Sequence, residues 1–208
     1  MDADRARIMS VVTQSRYLLD NINVLVLDDN KHMRSIVQSI LHALGVKNIR
    51  DASDAAEAFK ELQHFHADVI ICDWHMEPLD GLDFVRLVRT AKDSPNPYIP
   101  IIMLSGFTEY RRVTEARDAG VNEFLAKPIS ARALYQRFAS IIENPRPFIR
   151  TRTYFGPDRR RQNLGPPRGM AERRKTEIEK LPPEPGAGSE PGVDGLSQDQ
   201  VEALLNKA

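Results

Sequence analysis

Cysteine is nearly missing from the 208 residues. Cys72 stands alone, which excludes an internal disulfide framework and fits a reducing compartment. No stretch approaches the ~18 consecutive apolar residues of a membrane span, and the N-terminus lacks the apolar core of a signal peptide. A cytoplasmic location with no membrane partner is expected. Net charge is also missing: 29 Lys and Arg balance 29 Asp and Glu, so the charge of the whole chain points to no partner. The five histidines include His64 and His66, but no Cys or acid pattern around them makes a zinc site.

What is present is concentrated before about residue 143. Val24–Leu27, 47–51, Val69–Cys72, Ile101–Leu104 and Glu123–Ala126 read as strands, mostly short unbroken apolar runs. Amphipathic helical stretches alternate with them at 31–44, 54–64, after Gly81, at 108–119 and at 130–142. Five such units predict an α/β fold: a doubly wound, five-stranded parallel sheet, flavodoxin-like, in order 2-1-3-4-5. Ahead of it, residues 3–19 show helical spacing, so 1–21 is assigned an extra N-terminal helix and 22–143 the domain. In sheets of this kind ligands bind beyond the carboxyl ends of the strands.

After Asn144 the composition shifts. Nine of fourteen prolines and seven of eleven glycines fall within 144–195, with few large apolar residues. Such a segment buries too little to offset its ordering entropy, so 144–195 is expected to be a flexible linker with fast amide exchange. Its first part, 146–175, carries ten Arg or Lys against two acids. Arg159, Arg160 and Arg161 are its densest cluster, next to Tyr154 and Phe155, and suit an acidic protein face or a phosphate-bearing nucleotide. Residues 196–208 recover helical patterning. Ser197 and Gln200 form a capping box, Leu196 and Val201 a hydrophobic staple, and Val201, Leu204 and Leu205 an apolar face.

The chemistry lies at the strand ends. Asp28 and Asp29 follow the first strand, Asp73 the third, Ser105 the fourth and Lys127 the fifth. Alone, an Asp there is usually a helix cap and a Lys-Pro a turn. Together, crowded carboxylates suit Mg²⁺, while an ammonium and a hydroxyl suit a transferred phosphoryl group.

Asp28-Asp29, Asp73-Trp74-His75-Met76, Asp80-Gly81, Ser105-Gly106 and Lys127-Pro128 resemble the receiver domains of two-component response regulators, CheY in particular, over about 22–143. The resemblance implies a signalling switch, not a metabolic enzyme, that acts by protein binding. It implies phosphorylation of Asp73 by a histidine kinase or phosphotransfer protein, and Mg²⁺ held by Asp28, Asp29, Asp73 and the His75 backbone carbonyl. It also implies phosphoryl contacts from Ser105 and Lys127, an aromatic switch at Phe124 and a cis bond before Pro128. One departure is Glu77, which displaces the usual proline to Pro78. Residues 196–206 resemble the N-terminal peptide of the flagellar switch protein FliM, which binds CheY. That implies docking on a receiver face, its own or another's, and a role in chemotaxis or flagellar motility, with the motor switch as a further partner. The arginine-rich segment is similar in composition to the extensions of CheY-like cyclic-di-GMP effectors, which leaves that function as an alternative. A phosphorelay intermediate is a second. No DNA-binding output is expected.

Overall fold

The computed structural model describes residues 17, 19–106, 109–159 and 179–181. Five strands, β1 (Asn23–Leu27), β2 (Asn48–Ala52), β3 (Val69–Asp73), β4 (Ile101–Ser105) and β5 (Glu123–Ala126), form one sheet in order β2-β1-β3-β4-β5. Every pairing in it is parallel. The helices α1 (Lys31–Ala43), α2 (Ala55–Leu62), α3 (Gly81–Thr90), α4 (Tyr110–Ala119) and α5 (Ala131–Glu143) are the crossovers. The flavodoxin-like order expected from the sequence is the order observed.

Period-two alternation explains why the apolar strands must be buried on both sides. Leu25, Leu27, Ile70, Cys72, Ile101 and Met103 point into a core shared with α2, α3 and α4. Their neighbours Val24, Val26, Val69, Ile71, Ile102 and Leu104 point into a second core against α1 and α5. Four helices start on side-chain caps at Asn30, Asp54, Asp80 and Ser130, each satisfying amide donors of the first turn. The N-terminal helix assigned to 1–21 lies outside the described residues apart from 17 and 19–21, among which are Tyr17 and Leu19. Those two anchor on α5 and the adjoining core: the Tyr17 hydroxyl donates to Glu143 Oε1 at 2.9 Å, and Leu19 is buried.

The linker assignment for 144–195 needs correction at its start. Residues 148–157 fold as an antiparallel hairpin of β6 (Phe148–Arg150) and β7 (Phe155–Pro157), and β8 (Glu179–Leu181) pairs with the other edge of β6. The folded unit therefore extends beyond 143 to at least 158. Averaged composition concealed three apolar anchors. Phe148, Ile149 and Phe155 are buried, worth about 2 kcal/mol each. Phe148 and Phe155 pack edge-on with Tyr98, both at 5.2 Å between ring centroids.

The socket for the hairpin is a buried arginine. Arg89, at the end of α3, donates to Gly120 O (3.0 and 3.2 Å), Pro97 O (2.7 Å) and Asn122 Oδ1 (3.0 Å), and its guanidinium lies 5.1 Å from the Phe148 ring centroid. Burial lowers its pKa to about 9, so it stays charged at neutral pH. Gly120 ends α4 with φ +104°, a left-handed conformation that glycine adopts without strain.

The hairpin corrects the exchange expectation as well. The Asp158 amide donates to Pro147 O and the Thr151 amide to Tyr154 O, each at 2.8 Å. Native-state exchange should show both amides protected at least about tenfold over Arg152, which lies at the exposed hairpin turn. Equal, fast exchange at all three would mean that the hairpin is not docked.

Candidate functional site

The parallel register brings four strand ends side by side. Asp73 is the last residue of β3 and pairs in register with Leu104, one residue before Ser105. Ser105 pairs with Ala126, one residue before Lys127. The Lys127 amide donates to Ser105 O at 2.7 Å, which draws the end of β5 onto β4. Asp28 leaves β1 and is held by its own loop: its Oδ1 accepts from the Asn30 amide at 2.9 Å. Asp28, Asp73 and Ser105 are buried, while Asp29 and His75 are exposed. Both Lys127-Pro128 and Glu77-Pro78 are cis.

Lys127 Nζ lies 2.9 Å from Asp73 Oδ1 and 3.4 Å from Asp28 Oδ2. Burial pushes the Asp73 carboxyl above the usual aspartate range and Asp28 adds to it, while Lys127 and the Trp74 amide pull it back. For Lys127, burial works against the charge, but hydrogen bonds to and attraction by Asp73 and Asp28 outweigh it and hold the ammonium above the usual lysine range. The lysine is therefore a fixed cation beside a crowded carboxylate.

Asp28, Asp29 and Asp73 can offer oxygens within 4.8 Å of one another. That is close to the ~4 Å between opposite oxygens around one Mg²⁺. Hard oxygen donors, mutual repulsion and one exposed member together fit a divalent cation at the mouth.

Several supporting residues left no plain sequence signal. Arg34 on α1 reaches back to Asp28 O at 2.8 Å and pairs with Asp51, clamping the first acidic loop. Arg112 on α4 lies 5.3 Å from the Trp74 ring centroid, and Phe124 meets the same ring edge-on at 6.3 Å. Trp74, the residue after Asp73, is thus sandwiched by the α4–β5 side.

Gly81 was legible as part of a motif but its reason was not. A Cβ there would lie 2.1 Å from Asp73 O, and the Gly81 amide closes the loop on Trp74 O at 2.8 Å. Glu77 is accommodated without breaking that closure. Gly81→Ala should destabilise the protein by about 3 kcal/mol by forcing the β3 end aside. A denaturation midpoint equal to that of the unmodified protein would contradict this close approach.

Arg159 is not presented to solvent as a bare cation. It pairs with Asp118 at 3.2 Å and stacks over Tyr154 at 4.6 Å. Arg160, Arg161 and the docking-helix residues Leu196, Val201, Leu204 and Leu205 lie outside the described residues.

A five-stranded parallel sheet in this order, with paired acids, a further buried carboxylate, a hydroxyl and a lysine at neighbouring strand ends, defines a class. The chain belongs to the response regulator receiver domain family, which it matches over residues 24–139. Among curated relatives, it is 31% identical over 123 residues to chemotaxis protein CheY-3 of Vibrio cholerae, covering 59% of this chain and 93% of that protein. It is also 31% identical over 122 residues to chemotaxis protein CheY of Pseudomonas aeruginosa, covering 59% and 97%. Among solved structures, Vibrio cholerae chemotaxis protein CheY4 superposes with a TM-score of 0.53 at 29% identity, covering 58% of this chain and 98% of that one. Proteins of this family are signalling switches that work with histidine kinases or phosphotransfer proteins and bind Mg²⁺ at an acidic pocket. No helix among the described residues is long and apolar enough to cross a membrane.

Proposed function

We propose that this chain is a phospho-accepting receiver in a chemotaxis-type pathway, with Asp73 as the acceptor and protein binding as its output. The observation that carries the reading is Lys127 Nζ at 2.9 Å from Asp73 Oδ1, within a cluster of three carboxylates. An Asp73 oxygen attacks the phosphorus of the donor. The new O–P bond forms as the donor's P–N or P–O bond breaks, and that bonding pair leaves with the donor. Asp28, Asp29, Asp73 and the His75 carbonyl would hold Mg²⁺, which when bound would supply positive charge to offset that on the transferred oxygens. Lys127 exchanges its carboxylate contacts for a phosphoryl oxygen, and the Ser105 hydroxyl donates to another. Phe124, already against Trp74, reports the change on the α4–β5–α5 face.

The partner on that face, in this reading, is the segment 196–206 or the equivalent helix of a motor-switch protein. The face suits an apolar anchor: Tyr110 and Val113 are exposed on α4. Replacing Leu204 and Leu205 with alanine removes the anchors. Receiver NMR shifts that stay the same with and without that change, phosphorylated or not, would rule out docking by this segment.

Trp74 is the single tryptophan and follows the acceptor directly, so its emission reads the site. Mg²⁺ should change that emission, and a small acyl phosphate donor should change it further. Asp28→Asn should weaken the Mg²⁺ response at least about tenfold, and Asp73→Asn should abolish the donor response. A full donor response in Asp73→Asn would remove Asp73 as acceptor.

A further inference from the structure

The hairpin carries a third strand. β8 (Glu179–Leu181) pairs antiparallel with β6, so the small sheet runs β7-β6-β8. We propose that Glu179–Leu181 is an anchor strand: it adds to the outer edge of β6 and fixes the C-terminal arm to the receiver, so that 196–206 sets out from Leu181 and not from Asp158. The anchor stands apart from the docking of 196–206, and only its effect on reach rests on that reading.

The phase of the ladder shows why β6 needs a second partner. The Thr151 amide donates to Tyr154 O and the Asp158 amide to Pro147 O. Pro147, Ile149 and Thr151 therefore turn their backbone polar groups toward β7, and antiparallel alternation turns Phe148 and Arg150 the other way. Pro157 stands across from Phe148, at a position where the ladder asks β7 for no donor. Phe148 is buried, so its outward amide and carbonyl need a protein partner. β8 meets them: Phe148 pairs in register with Leu181, Ile149 with Lys180 and Arg150 with Glu179.

The sequence of β8 suits that edge. The register sets an acid, Glu179, across from Arg150 and an apolar residue, Leu181, across from Phe148, and both pairings favour this register over its neighbours. Arg150 is itself fixed, with its guanidinium 4.1 Å from the Phe155 ring centroid. Pro182 and Pro183 follow, neither with an amide to give, which ends the ladder at Leu181. The hairpin is seated in turn on Arg89 and Tyr98, so what β8 holds is held to the receiver. Fully extended, the chain from Asp158 to Leu196 could span at most about 135 Å, and from Leu181 at most about 55 Å. Effective concentration scales with roughly the −3/2 power of tether length, so the anchor should raise it about fourfold.

The test compares the full chain with its Glu179→Pro and Lys180→Pro variants. Glu179 turns its amide to β6 and Lys180 turns its amide away, so proline should open the ladder at 179 and be tolerated at 180. Amide exchange at Phe148 and Arg150 is expected to be at least about tenfold faster in Glu179→Pro, with Ile149 and Thr151 still protected, and unchanged in Lys180→Pro. A nitroxide on Gly186→Cys gives a second reading, since Cys72 is buried. Placed soon after Leu181 in the chain, it should broaden the Phe148 and Arg150 amides and lose that effect when combined with Glu179→Pro. Fast exchange at Phe148 and Arg150 in the unmodified chain, equal effects of the two prolines, or broadening that arises only between a labelled and an unlabelled copy would overturn the anchor. Reach is read by competition with a motor-switch helix peptide for the receiver face, which Glu179→Pro should ease about fourfold. Equal competition in both chains would overturn the effect on reach. None in either would overturn docking of 196–206, while the anchor, read by exchange and broadening, would stand.

Discussion

Lys127→Ala is expected to slow phosphoryl uptake from a small donor by about a hundredfold to a thousandfold, with the fold retained. Among the described residues, the ammonium is the cation in direct contact with both buried acids, at 2.9 and 3.4 Å. It can meet negative charge as it grows on the transferred oxygens, a contact made only as transfer proceeds. Its loss also leaves Asp73 and Asp28 facing each other, so the Asp73 carboxyl should rise further. The pH dependence follows from the directions of the shifts. Because the Asp73 carboxyl is raised in the fold, the native state holds that proton more tightly than the unfolded chain. Stability of the metal-free protein should therefore fall as pH rises through the window between the ordinary aspartate value and the raised one. Mg²⁺ binding, which needs the carboxylate, should weaken as pH falls through the same window. The Lys127 contribution has the same sign at higher pH: its raised pKa gives stability that is full below the ordinary lysine value and lost as pH rises through the folded one. Uptake in Lys127→Ala within threefold of the unmodified protein would leave the lysine no part in transfer.

Arg89→Met should cost about 4 kcal/mol of stability and release the hairpin. The side chain is buried, and it satisfies Gly120 O, Pro97 O and Asn122 Oδ1 while stacking on Phe148. Methionine fills much of the volume but leaves those acceptors without their donor. Asn122 Oδ1 also accepts from the Ile101 amide at the start of β4, so the loss spreads to the sheet. A drop of about 10 °C in Tm is expected, together with loss of protection at the Thr151 and Asp158 amides. A fall in Tm with the hairpin amides still protected would show that Arg89 supports the sheet but not the docking.

Much of the fold was legible because each interior strand is a run of apolar residues serving two cores at once, as in Val69–Asp73, and each helix shows one apolar face. The site was legible because its members close consecutive strands, where a parallel sheet must gather them. The hairpin was not. Phe148, Ile149, Tyr154 and Phe155 are few among prolines and arginines, and they are stable only because Arg89 and Tyr98, far away in sequence, form the surface they cover. Composition over a window of fifty residues cannot register a contact of that range. Arg34 was missed for a similar reason: on α1 it looks like any solvent-facing cation, and its bond to Asp28 O exists only once β1 and α1 are folded together.

The central claim is tested most directly by locating the phosphoryl group. The full chain is incubated with Mg²⁺ and a small acyl phosphate donor, the acyl phosphate is trapped by borohydride reduction, and peptides are mapped by mass. One modified residue, Asp73, is predicted in the unmodified protein, and none in Asp73→Asn. Modification at Asp28, at Asp29 or at any other residue with Asp73 untouched would contradict the account.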